Sequence, residues 1–326
     1  MTKKTYGQIW PVYNRAQVNE KSEFQPLLRD LCGGIAEPVQ SRGRPRLPLA
    51  DMLFCMIFKV YSGFSCRRCM SDLTTAHERG FISRLPDYNS IFTYFGSAEM
   101  QRCLEVLITQ SSLPMSSVEK SFAIDSTGFS TAKFASWLDT RYGKTRARDR
   151  RKWVKAHIMC GVLTNIVTAI QVTDANAGDA PFFPPLLETT SKHFAAKHVI
   201  GDKAYSSLAN LKFADSKDVL PVIPFRANAN AVHGSRDALW TRLYHFYSLN
   251  REWFDRVYHQ RSNIESTNAM IKMKFGERLR SRTRVAQFNE LLCKVVCHNI
   301  CVTIHASYEM GIEPNYWDAG EEKKAA

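Results

Sequence analysis

Three acids stand where carboxylates can do chemistry. Asp125 closes the run Ser121-Phe122-Ala123-Ile124, which reads as a strand, and Asp202 follows the run Lys197-His198-Val199-Ile200-Gly201, which reads as another. Glu265 falls in the middle of a helical pattern from Asn250 to Lys274 that no proline or glycine interrupts. Moving an unpaired carboxylate out of water costs several kcal/mol, so acids that converge at the mouth of a sheet need cations between them. Magnesium or manganese suits such an all-oxygen site. Spacing along the chain leaves convergence open, and taken singly each acid also reads as a solvated or salt-bridged surface residue.

The third acid has company. Tyr258, Arg261 and Lys272 are spaced with Glu265 at offsets of 3, 7 and 14, one stripe of a single helix, with Asn268 filling the remaining turn. Ile264, Ile271 and Phe275 lie on a neighbouring face that can seat the helix on a sheet. Such a helix presents a carboxylate flanked by phosphate-binding side chains.

Charge points the same way. The 326 residues carry 44 Lys and Arg against 31 Asp and Glu, a net +13, and two runs account for nearly all of it. Arg141 to Lys155 carries +7 and Lys272 to Arg284 carries +5. Phosphate backbones are the usual partners of such runs, through counterion release; a solubilising face is the alternative. Arg42-Gly43-Arg44-Pro45-Arg46 adds a short basic strip, extended and narrow, resembling the AT-hook core that enters a minor groove.

The positioning elements divide near residue 115. Before it the chain reads as mainly helical, with apolar spacing over Pro48 to Tyr61 and again around Leu104 to Ile108. No helix-turn-helix pattern stands out there, and Arg67, Arg68, Arg79 and Arg84 are its candidate DNA contacts. Beyond it come the Asp125 strand, a hairpin over Trp153 to Leu163 and Ile166 to Val172 turning at Thr164-Asn165, and a helix over Pro181 to Phe194. The Asp202 strand, a helix, a strand from Val219 to Phe225 and the long helix follow, an α/β layer architecture. A hydrophobic fraction of 44% excludes a disordered chain. The nine cysteines do not read as a disulfide framework. Cys66 and Cys69 lack a second pair at zinc-site spacing, while Cys293, Cys297 and Cys301 share one helix face, so both groups read as core. The start carries no secretory pattern, and the longest apolar stretch, Leu49 to Val60, is too short to span a bilayer, so no membrane partner and a cytoplasmic location are expected.

Tyr258, two residues, Arg261, three residues, Glu265, six residues, Lys272 resembles the tyrosine-arginine-glutamate-lysine signature of the DDE transposases of bacterial insertion sequences. Ile124-Asp125-Ser126-Thr127 and Gly201-Asp202-Lys203-Ala204-Tyr205 resemble that family's first and second aspartate strands, and the three motifs come in the family's order over about residues 118 to 305. The resemblance implies a ribonuclease-H-like α/β catalytic domain at 116–310, preceded by a helical DNA-binding region at 1–115 and followed by a tail at 311–326. It implies that Asp125, Asp202 and Glu265 are catalytic and hold two Mg2+ or Mn2+ ions. Water would free a 3' hydroxyl at an element's end, and that hydroxyl would attack target DNA.

It further implies double-stranded DNA as partner, as terminal inverted repeats and as target, with a homodimer in the synaptic complex, in the bacterial cytoplasm at the nucleoid. Tyr258, Arg261, Lys272 and Lys203 would lie near the cut, Arg146, Arg148, Arg150 and Arg151 in a basic loop on the DNA face, and Arg42 and Arg44 in a groove. Two departures stand out. The 62 residues between Asp202 and Glu265 leave no room for the large β insertion of some relatives, which puts hairpin-mediated excision in doubt. Asn176-Ala177-Gly178-Asp179 lacks the histidine that relatives often show before the aspartate, so Asp179 reads as a helix N-cap or an auxiliary acid. A nuclease without strand transfer and a non-catalytic repressor are the competing functions.

Overall fold

The strand that carries Asp125 does not stop at the acid. In the computed structural model, which describes residues 9–40, 42–43, 45–131, 153–231 and 237–317, β1 (Ser121–Ser130) runs on for five more residues. β2 (Trp153–Gly161) pairs with it antiparallel along its length, from Phe122 opposite Gly161 to Ser130 opposite Trp153. β3 (Val167–Asp174) closes the hairpin through a turn in which Asn165 takes a left-handed φ of 64°. The buried Glu119 carboxylate accepts from the backbone N–H groups of Leu163 and Thr164 and so fixes that turn.

On its other edge β1 pairs parallel with β4 (His198–Ile200), and β4 pairs parallel with β5 (Leu220–Val222). The sheet order is β3-β2-β1-β4-β5, a mixed five-stranded sheet compatible with a ribonuclease-H-like domain. Strand alternation sends Phe122, Ile124 and Met159 to one face and Ala123, Ile158 and Cys160 to the other, each into its own apolar cluster.

Five helices precede the sheet: α1 (Trp10–Gly33), α2 (Leu49–Ser62), α3 (Cys66–Glu78), α4 (Tyr88–Phe95) and α5 (Glu99–Ser112). Helices α6 (Phe183–Ser191) and α7 (Leu208–Ser216) alternate with the short strands. The Asn250 to Lys274 segment is not one helix. It follows α8 (Ala238–Leu249) as α9 (Arg251–Tyr258), a 3-10 turn over His259–Arg261, and α10 (Ser262–Phe275). α9 packs toward β5 and α10 lies on β1 and β2, so the 3-10 turn falls where the chain passes between partners that propensity alone does not see.

The last helix, α11 (Arg284–Met310), organises the rest. It packs on α1, α2, α4, α5 and β3, so the N-terminal helices and one face of the sheet share a continuous core. The buried Asn299 side chain ties three elements together, donating to Ile108 O and Val167 O and accepting from Val167 N. By length and composition α11 is apolar enough to cross a membrane, but 78% of its apolar window is buried inside this fold. All nine cysteines are free and buried. Cys66 and Cys69 belong to the stripe Cys66, Cys69, Leu73 and Ala76 with which α3 meets its neighbours.

Candidate active site

Register brings the two aspartates level. The last parallel pair between β1 and β4 is Ala123 with Ile200, and Asp125 and Asp202 each stand two residues further on. Two residues is one strand period, so both leave the sheet on the face of Ala123, side by side where β4 ends. Gly201 permits this closeness. A Cβ there would lie 3.0 Å from Ile124 Cγ2 and 3.2 Å from Tyr205 Cδ2, tighter than ordinary packing. One oxygen of Asp202 accepts from Ala204 N at 2.8 Å and caps the turn Lys203–Tyr205.

Glu265 comes from the other layer. It lies in the first turn of α10, where the helix dipole favours an acid, rather than in mid-helix as its sequence context suggests. Ile264 and Ile271 are buried and seat α10 on the sheet, and Thr267 Oγ1 donates to Asn165 Oδ1 at 3.1 Å. The three acids share one electrostatic field. Burial, followed by the charges of Asp202 and Glu265, pushes the Asp125 carboxyl up to about 6, against the opposing pull of the Ser126 N–H and of Arg261.

Arg261 is the positive group in that field. Its Nη2 lies 2.5 Å from Glu265 Oε1. Tyr258, half-buried and stacked on Phe254, also faces Arg261, Asp202 and Glu265, and burial holds its phenol above the usual range. The 3-10 turn at His259–Arg261 interrupts the expected uniform stripe, yet Tyr258 and Arg261 still reach the acids. Lys272 does not. It sits over the Phe129 ring, four residues beyond Asp125 on β1 and so about 13 Å away at ~3.3 Å per residue, with Glu277 at 3.7 Å. Lys203 is exposed beside Asp202.

Among the described residues, no three His, Cys, Asp or Glu side chains are arranged to hold a metal ion as they stand. The donor chemistry nonetheless fits hard divalent cations: three carboxylates, one of them half-buried and under-compensated in charge, with Glu265 paired to a guanidinium. The Tyr205 hydroxyl, buried without a hydrogen-bond partner, lies behind Gly201 in the field of Asp179, Asp125 and Asp202.

Asp179 works on the opposite face. It is not a side-chain N-cap. Its carboxylate lies 2.7 Å from Lys155 Nζ and 3.3 Å from His157 Nδ1, and although burial alone would raise it, the closeness of His157, Lys155 and Ser126 holds it well below the usual carboxylate range. Lys155, counted by sequence in a DNA-facing run, is therefore a buried structural cation whose ammonium also donates to Ala177 O at 2.8 Å. Sequence reading missed this cluster; the i, i+2 spacing of Lys155 and His157 in an otherwise apolar strand was the available signal. Ser126, beside Asp125, joins it to β1.

The second basic run does not continue the signature helix. α10 ends at Gly276, and the segment to Thr283 is a loop bridged to the end of β1, with Ser130 N donating to Glu277 O and Leu279 N to Ser130 O at 2.7 Å. Two buried residues of α11 clamp it: Glu290 accepts from Arg280 N and Ser281 N, and Lys294, which burial pulls down to about 8, donates to Gly276 O and Arg278 O. Lys274 is paired with Glu20 and Arg284 with Asp174, while Arg278 and Arg282 are exposed. Arg42 lies in a loop that Gln40 folds on itself, donating to Arg42 O and accepting from Arg46 N, which is a turn and not an extended strip. Arg44, Arg146, Arg148, Arg150 and Arg151 and the tail beyond Trp317 lie outside the described residues.

A family sequence model described as the transposase DDE domain matches residues 116–300, which is more than half of the chain and includes all three acids. No curated protein and no solved structure matches the chain.

Proposed function

The chain belongs to the transposase DDE domain family, and from that premise we propose that it cuts DNA at the ends of a mobile element and joins the freed 3' end to target DNA. Asp125, Asp202 and Glu265 are the catalytic acids of this reading. What supports it most is the electrostatic linkage of the three: two neighbouring strands and one helix deliver carboxylates that feel one another's charge. Those carboxylates would hold two divalent ions, Mg2+ or Mn2+, whose chemistry is Lewis-acid activation of the attacking and leaving oxygens of an in-line displacement.

The chain's own residues do the rest. Asp125, ionised above about pH 6, and Asp202 form the fixed side of the site because β1 and the Ala204 N–H hold them. Glu265 is the movable side, since it must leave Arg261. A guanidinium is planar and matches two phosphate oxygens as well as it matches a carboxylate, so a DNA phosphate can take Arg261 from Glu265, whose carboxylate would then be free to pair with a divalent ion. Tyr258 orients Arg261. Lys272, about 13 Å along β1 from Asp125, meets the strand some nucleotides from the cut. Two copies of the chain would hold the two ends.

The test uses the full-length protein, Mg2+, supercoiled plasmid and a labelled duplex carrying an end of the element that encodes the chain. Label joined to plasmid, and lost in Asp125→Ala, Asp202→Ala and Glu265→Ala, is the expected result. Cleaved duplex without any joined product would make the chain a nuclease, and product that survives the three substitutions would refute the assignment of the acids.

A further inference from the structure

Helices α2 and α3 are joined by three residues, Gly63-Phe64-Ser65, and their axes turn by 120°. Gly63 makes the turn: its φ of 68° is left-handed, where a Cβ is penalised, and its N–H closes α2 on Val60 O. Ser65 starts α3, its carbonyl accepting from Cys69 N at 2.9 Å. Two helices crossing at this angle through a short glycine turn form a helix-turn-helix, whose second helix enters a DNA major groove.

The two helices are unequal in the way that role requires. α2 is buried along almost its whole length. α3 buries only its Cys66, Cys69, Leu73 and Ala76 stripe and exposes Arg67, Arg68, Ser71 and Thr75. Arg67 and Arg68 fall in its first turn, the part of a recognition helix that meets base edges. The Arg67 guanidinium lies 4.8 Å over the Tyr88 ring, which orients it.

A second surface adjoins the turn. Arg280, in the clamped basic loop, donates from Nη1 to Gly63 O at 2.5 Å, so the loop that exposes Arg278 and Arg282 is fastened to the helix-turn-helix itself. The end of α10 is there too: Lys274 and Phe275 line a cleft with Tyr61 and Phe64. From Glu265 to Phe275 the helix rises about 15 Å, so a single duplex can reach both the acids and α3.

We propose that α3 reads base edges in the major groove of B-form DNA through Arg67, Arg68 and Ser71, while the Gly276–Thr283 loop holds the adjoining phosphate backbone through Arg278 and Arg282. This rests on the reading of the chain as a DNA transposase. Arginine is suited to guanine O6 and N7 as a bidentate donor, and serine to either base edge, whereas loop arginines on phosphates carry affinity without sequence information.

The experiment is selection from a random 40-base-pair duplex library by the full-length protein in EDTA, so that no cleavage is required. Wild type should enrich a motif. Arg68→Ala and Ser71→Ala should relax it at particular positions, with about tenfold or greater loss on the wild-type motif for the arginine. Arg68→Lys, which keeps the charge and cannot disturb the fold, should relax the same position with the salt dependence unchanged. Arg278→Ala with Arg282→Ala should weaken all sequences alike and flatten the salt dependence, leaving the motif intact. An absent motif, or one unchanged by the α3 variants, would overturn the proposal. A motif selected by a protein that never cuts would leave it standing and would instead sink the catalytic reading.

Discussion

Arg261 Nη2 and Glu265 Oε1 stand 2.5 Å apart, one turn of chain from each other, so the third acid is neutralised by a cation from its own signature. Carboxylates that converge need positive charge, and this pair supplies it from within the chain. The same contact separates the acids' resting arrangement from the one that three shared ligands would need.

Arg261→Gln should therefore bind Mn2+ more tightly than wild type when no DNA is present, by about fivefold, the equivalent of ~1 kcal/mol for an exposed ion pair. Its affinity for duplex DNA should fall. Titration of Mn2+ by electron paramagnetic resonance reads the first effect directly, and weaker ion binding by the variant would show that Arg261 supports the site instead of competing for it.

Asp125 gives the ion-free protein a pH dependence. Its carboxyl is raised to about 6 in the fold from an ordinary value near 3.8, so the folded state holds the proton more tightly than the unfolded chain does. Stability is then fullest below about pH 4 and is lost as pH rises to about 6. Asp125→Asn removes that loss and should stabilise the ion-free protein at pH 7 by up to about 3 kcal/mol, at 1.36 kcal/mol per pH unit. Urea denaturation in a chelator at several pH values checks it; equal slopes for the two proteins would contradict the burial of this charge.

Asp179 has the opposite sign. Its carboxyl is held down by His157, Lys155 and Ser126, so its contribution is full above the ordinary carboxylate range and is lost as pH falls below that range towards the depressed value of the folded state. Asp179→Asn should cost about 2 kcal/mol at pH 7, less than a fully buried pair, and should show shallower acid unfolding than wild type. A variant as stable as wild type would mean the cluster contributes nothing.

Glu290→Ala leaves the N–H groups of Arg280 and Ser281 without their acceptor, which should cost about 2 kcal/mol of stability. DNA affinity should drop with the salt slope preserved, because the arginines remain and only their mounting loosens. Anisotropy titrations at several salt concentrations separate the two effects.

The strands that lead to Asp125 and Asp202 and the helical segment around Glu265 were legible in sequence because both patterns are local. So was the hairpin, whose turn carries Thr164-Asn165, though not the Glu119 carboxylate that fixes it. The length of β1 was not, since Ser126 to Ser130 are polar or small apart from Phe129 and become strand by pairing with β2. Nor was the 3-10 turn at His259–Arg261, which interrupts the α-helix in a sequence with no breaker. The basic run after Lys272 looked like continuing helix because Glu290 and Lys294, which hold it as a loop, lie a further helix away. The α2–α3 turn was within reach: a glycine after Ser62 and a serine before Cys66 are C-cap and N-cap signals. Cys66 and Cys69, read from sequence as core, do form the buried stripe of α3.

The central claim is that Asp125, Asp202 and Glu265 act as one unit in cutting DNA. Single-turnover strand cleavage in Mg2+ should be compared for wild type, each single alanine variant and the double variant Asp125→Ala, Glu265→Ala. Groups that act together are not additive, so each single substitution should slow cleavage by on the order of 1,000-fold and the double should be no slower than the singles. Losses that multiply in the double variant, or cleavage that persists in any single one, would contradict a shared site.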